Sequence, residues 1–390
     1  MHFKLRSAFF FEMTGKEIIK YLEDWAPKGI AWQKDNVGLQ VGNPETKIQN
    51  ILLSLDLKDE VIESAIKENC NLIITHHPLL YYPLKNLNFS KSKNALMIEK
   101  MIKNNITLYS AHTNLDFTKH GVSYQLAKRL GLKNIKFLKN LKENQFKLSV
   151  FVPHTHVNIV ADAMHREGAG IIGEYSYCSF RSSGTGTFKG SYQSNPSIGK
   201  KGKVESVEEI KLETLVDEWK LSRVIDSLKK VHPYEEVAYD IYPLKNENVN
   251  YGIGAIGDLK RPLKKSVFLH LVSSKLKTRG LRYVSGKART INTVAVCGGS
   301  CGELLDEAIN QNADAFITAD LRYHTFQEAE DKVLLIDAGH YETEVPILDE
   351  IKSRLDSLLN KDKKTKVLKF KGSTNPIIFL TTQEPIKIVR

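Results

Sequence analysis

Short, largely apolar strands that alternate with helices are the feature that most limits the fold of this 390-residue chain. From Ile51 onwards the chain reads as strand, helix, strand, helix, strand, with the strands at 51–56, 71–75 and 106–111. Strands this poor in polar residues are typical of a parallel sheet covered by helices on both faces. The pattern therefore predicts an α/β domain.

The same order of elements returns near the C-terminus. Predicted strands at 293–299, 314–318 and 332–338 alternate with helices, and a further helix covers 346–359. Repetition of a whole supersecondary unit indicates a diverged internal duplication.

The middle of the chain has a different order. Residues 146–245 read as βαββαβ, the ferredoxin-like arrangement. We therefore expect an α/β fold in which a duplicated domain, formed by residues 1–145 and 246–390, is interrupted by an inserted ferredoxin-like domain. The stretch GAGIIG at 168–173 fits the dinucleotide fingerprint by its letters. A helix precedes it and a β-rich run follows, so a helix stop is the favoured interpretation.

Composition excludes several classes of protein. No apolar run approaches the ~20 residues of a membrane-spanning helix, and the N-terminus lacks a signal-peptide pattern, so we expect a cytoplasmic protein. The net charge is +11. The lysines are scattered, without the aromatic residues or the module of a nucleic-acid surface, so a solvated lysine-rich surface is the favoured interpretation. The charge would also help to attract a small anionic ligand such as a nucleotide. The four cysteines predict no disulfide framework, and the lone pair Cys297 and Cys301 is a poor zinc site.

Histidines and carboxylates follow four of the predicted strands. The carboxyl ends of parallel strands are where α/β proteins collect their ligands. This combination of imidazole and carboxylate groups predicts a metal site. The residues are His76 and His77, His112 and Asp116, Asp320 and His324, and His340 and Glu344.

Two metal ions suit these residues better than one. His76 and His77 are adjacent and would point to opposite faces of a regular strand, but Pro78 favours a break that lets each serve a different ion. A carboxylate can bridge two cations, and Asp116 and Glu344 are the candidates. The mixed nitrogen and oxygen ligands suit zinc, iron, manganese or cobalt.

Three further residues are candidates for supporting roles. His112 and His324 are candidates for orienting ligands or carrying protons, or for plain structural roles. Thr343 is predicted to cap the following helix, with Glu344 in its first turn.

Five ordered motifs resemble the Nif-three-like family, whose members are labelled GTP cyclohydrolase 1 type 2 homologues. They are DNVGLQVG (35–42), ITHHPLLY (74–81), AHTNLD (111–116), TADLRYH (318–324) and DAGHYETE (337–344). The resemblance implies a dinuclear metal site in a toroidal homohexamer. The family's metal ligands fall on His76, His77, Asp116, His340 and Glu344. Cys301 is a departure, since the family usually has a small residue there, and its thiol would stiffen the helix start or be redox-sensitive.

The middle segment is similar to the PII- and CutA-like insert of the longer bacterial members, through GTGTF (184–188) and HPYEEVAYDIYPL (232–244). Within it, His232, Glu235 and Glu236 form either a second polar site, with a gating role open to it, or a simple helix stop and turn.

Two functions are open at this stage. The family label implies hydrolytic opening of the imidazole ring of GTP with release of formate, and more broadly a metal-dependent hydrolase of a nucleotide-like or other small anionic substrate. The alternative is a non-enzymatic scaffold that handles metal or senses a ligand.

Overall fold

The structure is a computed structural model that describes residues 13–360 and 364–380. The chain forms two compact units. One combines the residues up to Lys139 with those from Ile253 onwards, and the other is the continuous segment Asn140–Gly252. We call them the outer unit and the middle unit.

The outer unit begins with a helix that has a complete capping box. The Thr14 side chain accepts a hydrogen bond from the Glu17 N–H, and Glu17 Oε2 accepts one from the Thr14 N–H at 2.7 Å. These bonds satisfy backbone groups that the first turn leaves without helical partners. The elements up to the middle unit are α1 (Gly15–Trp25), β1 (Gly38–Val41), β2 (Asn50–Ser54), α2 (Asp59–Lys67), β3 (Leu72–Thr75), α3 (Lys93–Lys103), β4 (Thr107–Ser110), α4 (Thr113–Asp116), α5 (Val122–Arg129) and β5 (Lys133–Lys142).

The middle unit follows the order strand, helix, strand, strand, helix, strand. Its elements are β6 (Gln145–Pro153), α6 (Val157–Arg166), β7 (Ser179–Lys189), β8 (Val204–Asp217), α7 (Leu221–Val231) and β9 (Tyr239–Leu244). The strands form one antiparallel sheet in the order β7-β8-β6-β9. Apolar residues of α6 and α7 share one buried core with residues of β6 and β8. Gly168, with φ of 90°, follows the end of α6, as expected for a helix stop rather than a dinucleotide loop.

The chain returns to the outer unit along a long strand. The remaining elements are β10 (Glu247–Lys264), α8 (Lys265–Leu276), β11 (Arg282–Val284), β12 (Thr290–Val296), α9 (Leu305–Asn310), β13 (Ala315–Thr318), α10 (Tyr323–Ala329), β14 (Leu334–Asp337), α11 (His340–Glu344), α12 (Ile347–Leu358) and β15 (Lys366–Lys369). Short 3₁₀ turns occupy Lys28–Ile30, Glu218–Lys220 and Gly302–Leu304.

The outer unit contains two sheets of similar design. One has the order β1-β4-β3-β2-β15, and the other has the order β11-β14-β13-β12-β10-β5. In each, three consecutive strands of the chain lie parallel, and a short antiparallel strand flanks the last of the three. The predicted mixed α/β fold is therefore confirmed in its class.

Both sheets are covered on both faces. On β3, Leu72 and Ile74 enter one apolar core while Ile73 enters another, and Phe316 and Ile317 of β13 are divided between two cores in the same way. Burial on both faces explains why these strands lack the alternation of polar and apolar residues seen in half-exposed strands.

The centre of the second sheet supplies a stability test. Phe316→Ala should lower the free energy of unfolding by about 3–5 kcal/mol, because it empties a fully buried site. The control is Tyr323→Ala, which truncates an aromatic side chain that is 72% exposed. Denaturant unfolding followed by circular dichroism measures both variants, and equal losses would contradict the assignment of this core.

Candidate metal centre

Three segments that follow parallel strands meet in the outer unit. His76 and His77 come directly after β3, and His112 follows β4, just before α4. His340 and Glu344 begin and end the short helix α11, which follows β14. Because they are four residues apart, both side chains lie on one face of that helix.

Glu344 lies at the centre of the cluster. Its Oε1 is 3.1 Å from His340 Nε2 and 3.8 Å from His76 Nε2, and its Oε2 is 3.1 Å from His77 Nε2. Asp116 Oδ1 is 3.5 Å from His76 Nε2. Each Glu344 oxygen thus faces a different set of imidazoles, an arrangement suited to a bridging carboxylate.

Every histidine of the cluster is held through its other ring nitrogen. The Nδ1 atoms of His76, His77, His112 and His340 each lie within hydrogen-bond distance of an oxygen. Their partners are Ala111 O at 2.7 Å, Asp56 Oδ1 at 2.7 Å, Asp35 Oδ1 at 2.9 Å and Asp320 Oδ2 at 2.6 Å. Partners of this kind fix the ring orientation and raise the basicity of a ligating imidazole.

Three buried atoms in the cluster lack a hydrogen-bond partner among the described residues. They are His76 Nε2, Asp116 Oδ1 and Glu344 Oε2. Leaving such atoms unsatisfied costs about 1–3 kcal/mol each, and more for a charged group. All three atoms are of types that bind metals. Two groups of residues each bring their ligand atoms within 4.8 Å of one another: His76, His77 and His112 form one group, and His77, His340 and Glu344 form the other. The residues therefore fit a bound cation.

The electrostatics of the cluster centre on Glu344. Burial would raise its pKa, but contacts with His340, His76 and His77 hold that pKa well below its usual range. Burial disfavours the charged form of His77, yet the hydrogen bond to Asp56 and the negative charge of the nearby Glu344 carboxylate raise its pKa to about 10. Bonds to Glu344 and Asp320 likewise outweigh burial and raise the pKa of His340 to about 9. Glu344 is thus an anion that attracts positive charge.

His76 and Asp116 are neighbours in the same cluster. Burial lowers the pKa of His76, which favours the neutral imidazole that a metal needs. Burial and the nearby charge of Glu344 raise the pKa of Asp116. The two carboxylates repel each other, and a cation between them would relieve that repulsion.

A glycine loop lies against Glu344. Gly299 has φ of 70°, and a Cβ atom at this position would collide with Glu344 Oε1 and lie 3.4 Å from His340 Nε2. The Gly299 N–H donates to Thr343 Oγ1 at 3.0 Å, and Thr343 Oγ1 donates to the His340 carbonyl at 2.8 Å. The loop therefore positions both ends of α11.

Two predictions near this loop are wrong. Cys297 and Cys301 form a disulfide across it, so the expectation of a free thiol at Cys301 is wrong, whereas the expectation of a redox-sensitive group there is not tested. Thr343 does not cap the following helix, because Gly339 with φ of 90° starts a separate helix earlier and Thr343 lies inside it. Glu344 accordingly ends the short helix instead of starting the long one.

His324 is not brought to the cluster. It is exposed on α10, and its Nδ1 lies 3.0 Å from Gln327 Oε1. Asp320, from the same predicted strand end, does reach the cluster through His340. His112 lies beside it, with ring centroids 5.3 Å from His76 and 5.4 Å from His77.

Asp35 and Asp56 are functional candidates that the sequence motifs alone do not single out. Asp56 ends the stretch ILLSLD, so it follows a predicted strand as the other site residues do. Asp35 begins DNVGLQVG and has no strand before it, but hydrogen bonds from His112 and Thr113 overcome burial and lower its pKa to about 2. The i, i+4 spacing of His340 and Glu344 is a further sequence signal, because it places both side chains on one face of a helix.

Residues 13–376 match the profile of the Duf34/NIF3 family (NGG1p interacting factor 3). The chain belongs to the NIF3 family. The resemblance inferred from the motifs is therefore confirmed. Among the relatives, a Halalkalibacterium halodurans protein named GTP cyclohydrolase 1 type 2 homolog is 41% identical over 94% of this chain and 99% of its own length. A Bacillus subtilis protein of the same name is 37% identical, again over 94% of this chain and 99% of its own length.

Solved structures of NIF3 relatives show the same fold. A Bacillus cereus protein related to NIF3 superposes with a TM-score of 0.80 at 36% identity, covering 95% of this chain and all of its own. A Staphylococcus aureus protein gives a TM-score of 0.74 at 29% identity, covering 94% of this chain and 99% of its own. Across the described part of the NIF3 chain, no helix has the length and apolarity to cross a membrane.

The glycine loop supplies a test of the site. Gly299→Ala should displace the Glu344 carboxylate and lower the affinity for added Zn²⁺ or Mn²⁺ by at least about tenfold. The control is Gly131→Ala, since Gly131 also has positive φ, 83°, but its Cβ would meet nothing within 4 Å. Isothermal titration of chelator-treated protein measures both, and equal affinities would show that the loop does not support the site.

Proposed function

We propose that this NIF3 protein binds two divalent transition-metal ions and uses them for hydrolysis of a small anionic substrate. His77 and His340 would hold one ion, His76 and Asp116 the other, and Glu344 would contact both. The observation that carries the proposal is that Glu344 belongs to two groups of ligand atoms: those of His77, His340 and Glu344 all lie within 4.8 Å of one another, and His76 Nε2 lies 3.5 Å from Asp116 Oδ1 and 3.8 Å from Glu344 Oε1. The orphaned buried atoms at the same point support it.

Ions in such a pair lower the pKa of a bound water and draw charge from a substrate oxygen. The chain's own residues orient the site and exclude water from its base, where His76 is fully buried. We assign the proton-carrying role to His112 rather than His324. Asp35 holds His112 Nδ1, so Nε2 is left to exchange a proton with a substrate beside the cluster.

GTP is the first substrate to test. The names of the relatives support it as a candidate, and the net charge of +11 favours a phosphate-bearing ligand. The step would hydrolyse the imidazole ring of the guanine base and release formate. The competing function is a scaffold that stores or delivers metal without turnover.

We also infer the architecture around the site. The strand order β7-β8-β6-β9 with two helices supports a ferredoxin-like middle domain of the PII and CutA type. The recurring three parallel strands support duplication in the outer unit. By family resemblance the chain would assemble as a homohexamer, which multi-angle light scattering of the native protein can test.

Metal content is the first prediction. Protein purified without chelator should contain about two ions per chain, and His340→Ala and Glu344→Ala should each lose at least one. His324→Ala is the matched control, since that histidine is exposed and bonds only to Gln327 among the contacts described. Elemental analysis by plasma mass spectrometry measures all four proteins. Full metal retention in the His340 and Glu344 variants would refute the assignment.

Turnover is the second prediction. Metal-loaded protein incubated with GTP should release formate and a fluorescent pterin product, whereas Glu344→Ala should reduce the rate at least about a hundredfold. If the wild-type protein binds two ions but shows no more turnover than the variant, the scaffold function or another substrate is favoured, and the metal assignment stands.

A further inference from the structure

The middle unit contains a cavity of about 510 Å³ that the metal site does not explain. Its walls include the end of β7, Glu209 of β8 and the segment that follows α7. Its lining includes three aromatic and three acidic side chains, namely those of Phe151, Phe188, Tyr234, Glu209, Glu235 and Glu236. Its volume is within the range of about 300–1,000 Å³ typical of small-molecule sites.

Glu209 is the feature that points to a ligand. The residue is only 7% exposed, yet it lines the cavity. Its Oε1 accepts a hydrogen bond from the Tyr234 hydroxyl at 2.7 Å, while its Oε2 receives none from any residue that the structure describes. Because Glu209 lines the cavity, a donor group of a ligand there can hydrogen-bond to this second oxygen.

The backbone beside Glu209 is adapted to the carboxylate. Gly186 of β7 also lines the cavity, and a Cβ atom there would collide with Glu209 Oε2. A side chain at position 186 would therefore push the Glu209 carboxylate out of its present position. The GTGTF motif, which contains Gly186, thus has a specific steric role.

His232 holds the opposite wall in place. Its Nδ1 accepts a hydrogen bond from the Tyr234 N–H at 3.2 Å, and its Nε2 donates to the Phe151 carbonyl at 3.0 Å. These two bonds require a neutral imidazole, and burial lowers the pKa of His232 accordingly. His232 is therefore a positioning residue for Tyr234, not part of a polar site with Glu235 and Glu236.

The charges and rings around the cavity select a class of ligand. Glu209, Glu235 and Glu236 carry negative charge, against the single lysine, Lys189, in the lining. The rings of Phe188 and Tyr234 face each other with centroids 6.0 Å apart at 56°. Aromatic faces and carboxylates both attract a cation.

We propose that this cavity binds an organic cation, with an ammonium or amidinium head on Glu209 and an apolar body among Phe151, Phe188 and Tyr234. The head would donate N–H groups to Glu209 Oε2, the oxygen without a protein donor. Tyr234 keeps its proton, since burial and Glu209 raise the pKa of its hydroxyl, and so orients the carboxylate. The site would let the middle unit sense an amine-bearing metabolite.

Benzamidine titration of the full chain tests the proposal, with benzoate and benzamide as anionic and neutral probes of the same shape. Isothermal titration or ligand-observed NMR should detect benzamidine binding and much weaker binding of the other two. Glu209→Gln should weaken benzamidine at least about tenfold, because it removes a charge-assisted hydrogen bond. The matched control, Glu208→Gln, changes an exposed neighbour whose contact is Thr185 and should leave the affinity unchanged.

Gly186→Ala should also abolish benzamidine binding by displacing the carboxylate. Equal binding of benzamidine and benzoate by the unaltered chain would overturn the proposal, as would absence of benzamidine binding. Loss of the same size in the Glu208 and Glu209 variants would overturn it too. The comparison of probes on the unaltered chain decides even if a variant fails to fold, and it does not depend on the metal site.

Discussion

The buried carboxylate of Glu344 is the interaction on which the site depends. Only 3% of the Glu344 surface is exposed to solvent, and three histidines approach its two carboxylate oxygens. A buried anion is tolerated only with compensating charge. The fold supplies that compensation from two β-sheets, because β3 delivers His76 and His77 while α11, after β14, delivers His340. The glycine loop at Gly299 keeps open the space in which the carboxylate lies.

Oxygen atoms that hydrogen-bond to the histidines fix the orientation of the four imidazole rings. The Nδ1 atoms of all four imidazoles meet a carboxylate or a carbonyl, so the Nε2 atoms are turned inward. This division separates atoms that fix the rings from atoms available to ions and substrate. It also explains the role of Asp35, Asp56 and Asp320, none of which needs to contact an ion.

Much of this arrangement could be predicted from the sequence, because parallel strands bring their carboxyl ends to one edge. That rule places His76, His77, His112, Asp116, His340 and Glu344 together without knowledge of the fold. It failed for His324, which comes after the strand but on an exposed turn of α10. Asp56 ends a predicted strand and could have been included by the same rule, whereas Asp35 has no strand before it and its contact with His112 spans 77 residues. The disulfide and the early start of α11 depend on loop conformations, at Gly299 and Gly339, that residue spacing does not determine.

Anomalous X-ray diffraction from crystals of the protein purified without chelator tests the central claim most directly. Data recorded above and below the absorption edges of zinc, iron, manganese and cobalt would locate and identify any bound ion. We expect two peaks about 3.5–4 Å apart, with Glu344 between them and His76 and His77 on different ions. A single peak, or peaks away from Glu344, would contradict the dinuclear site.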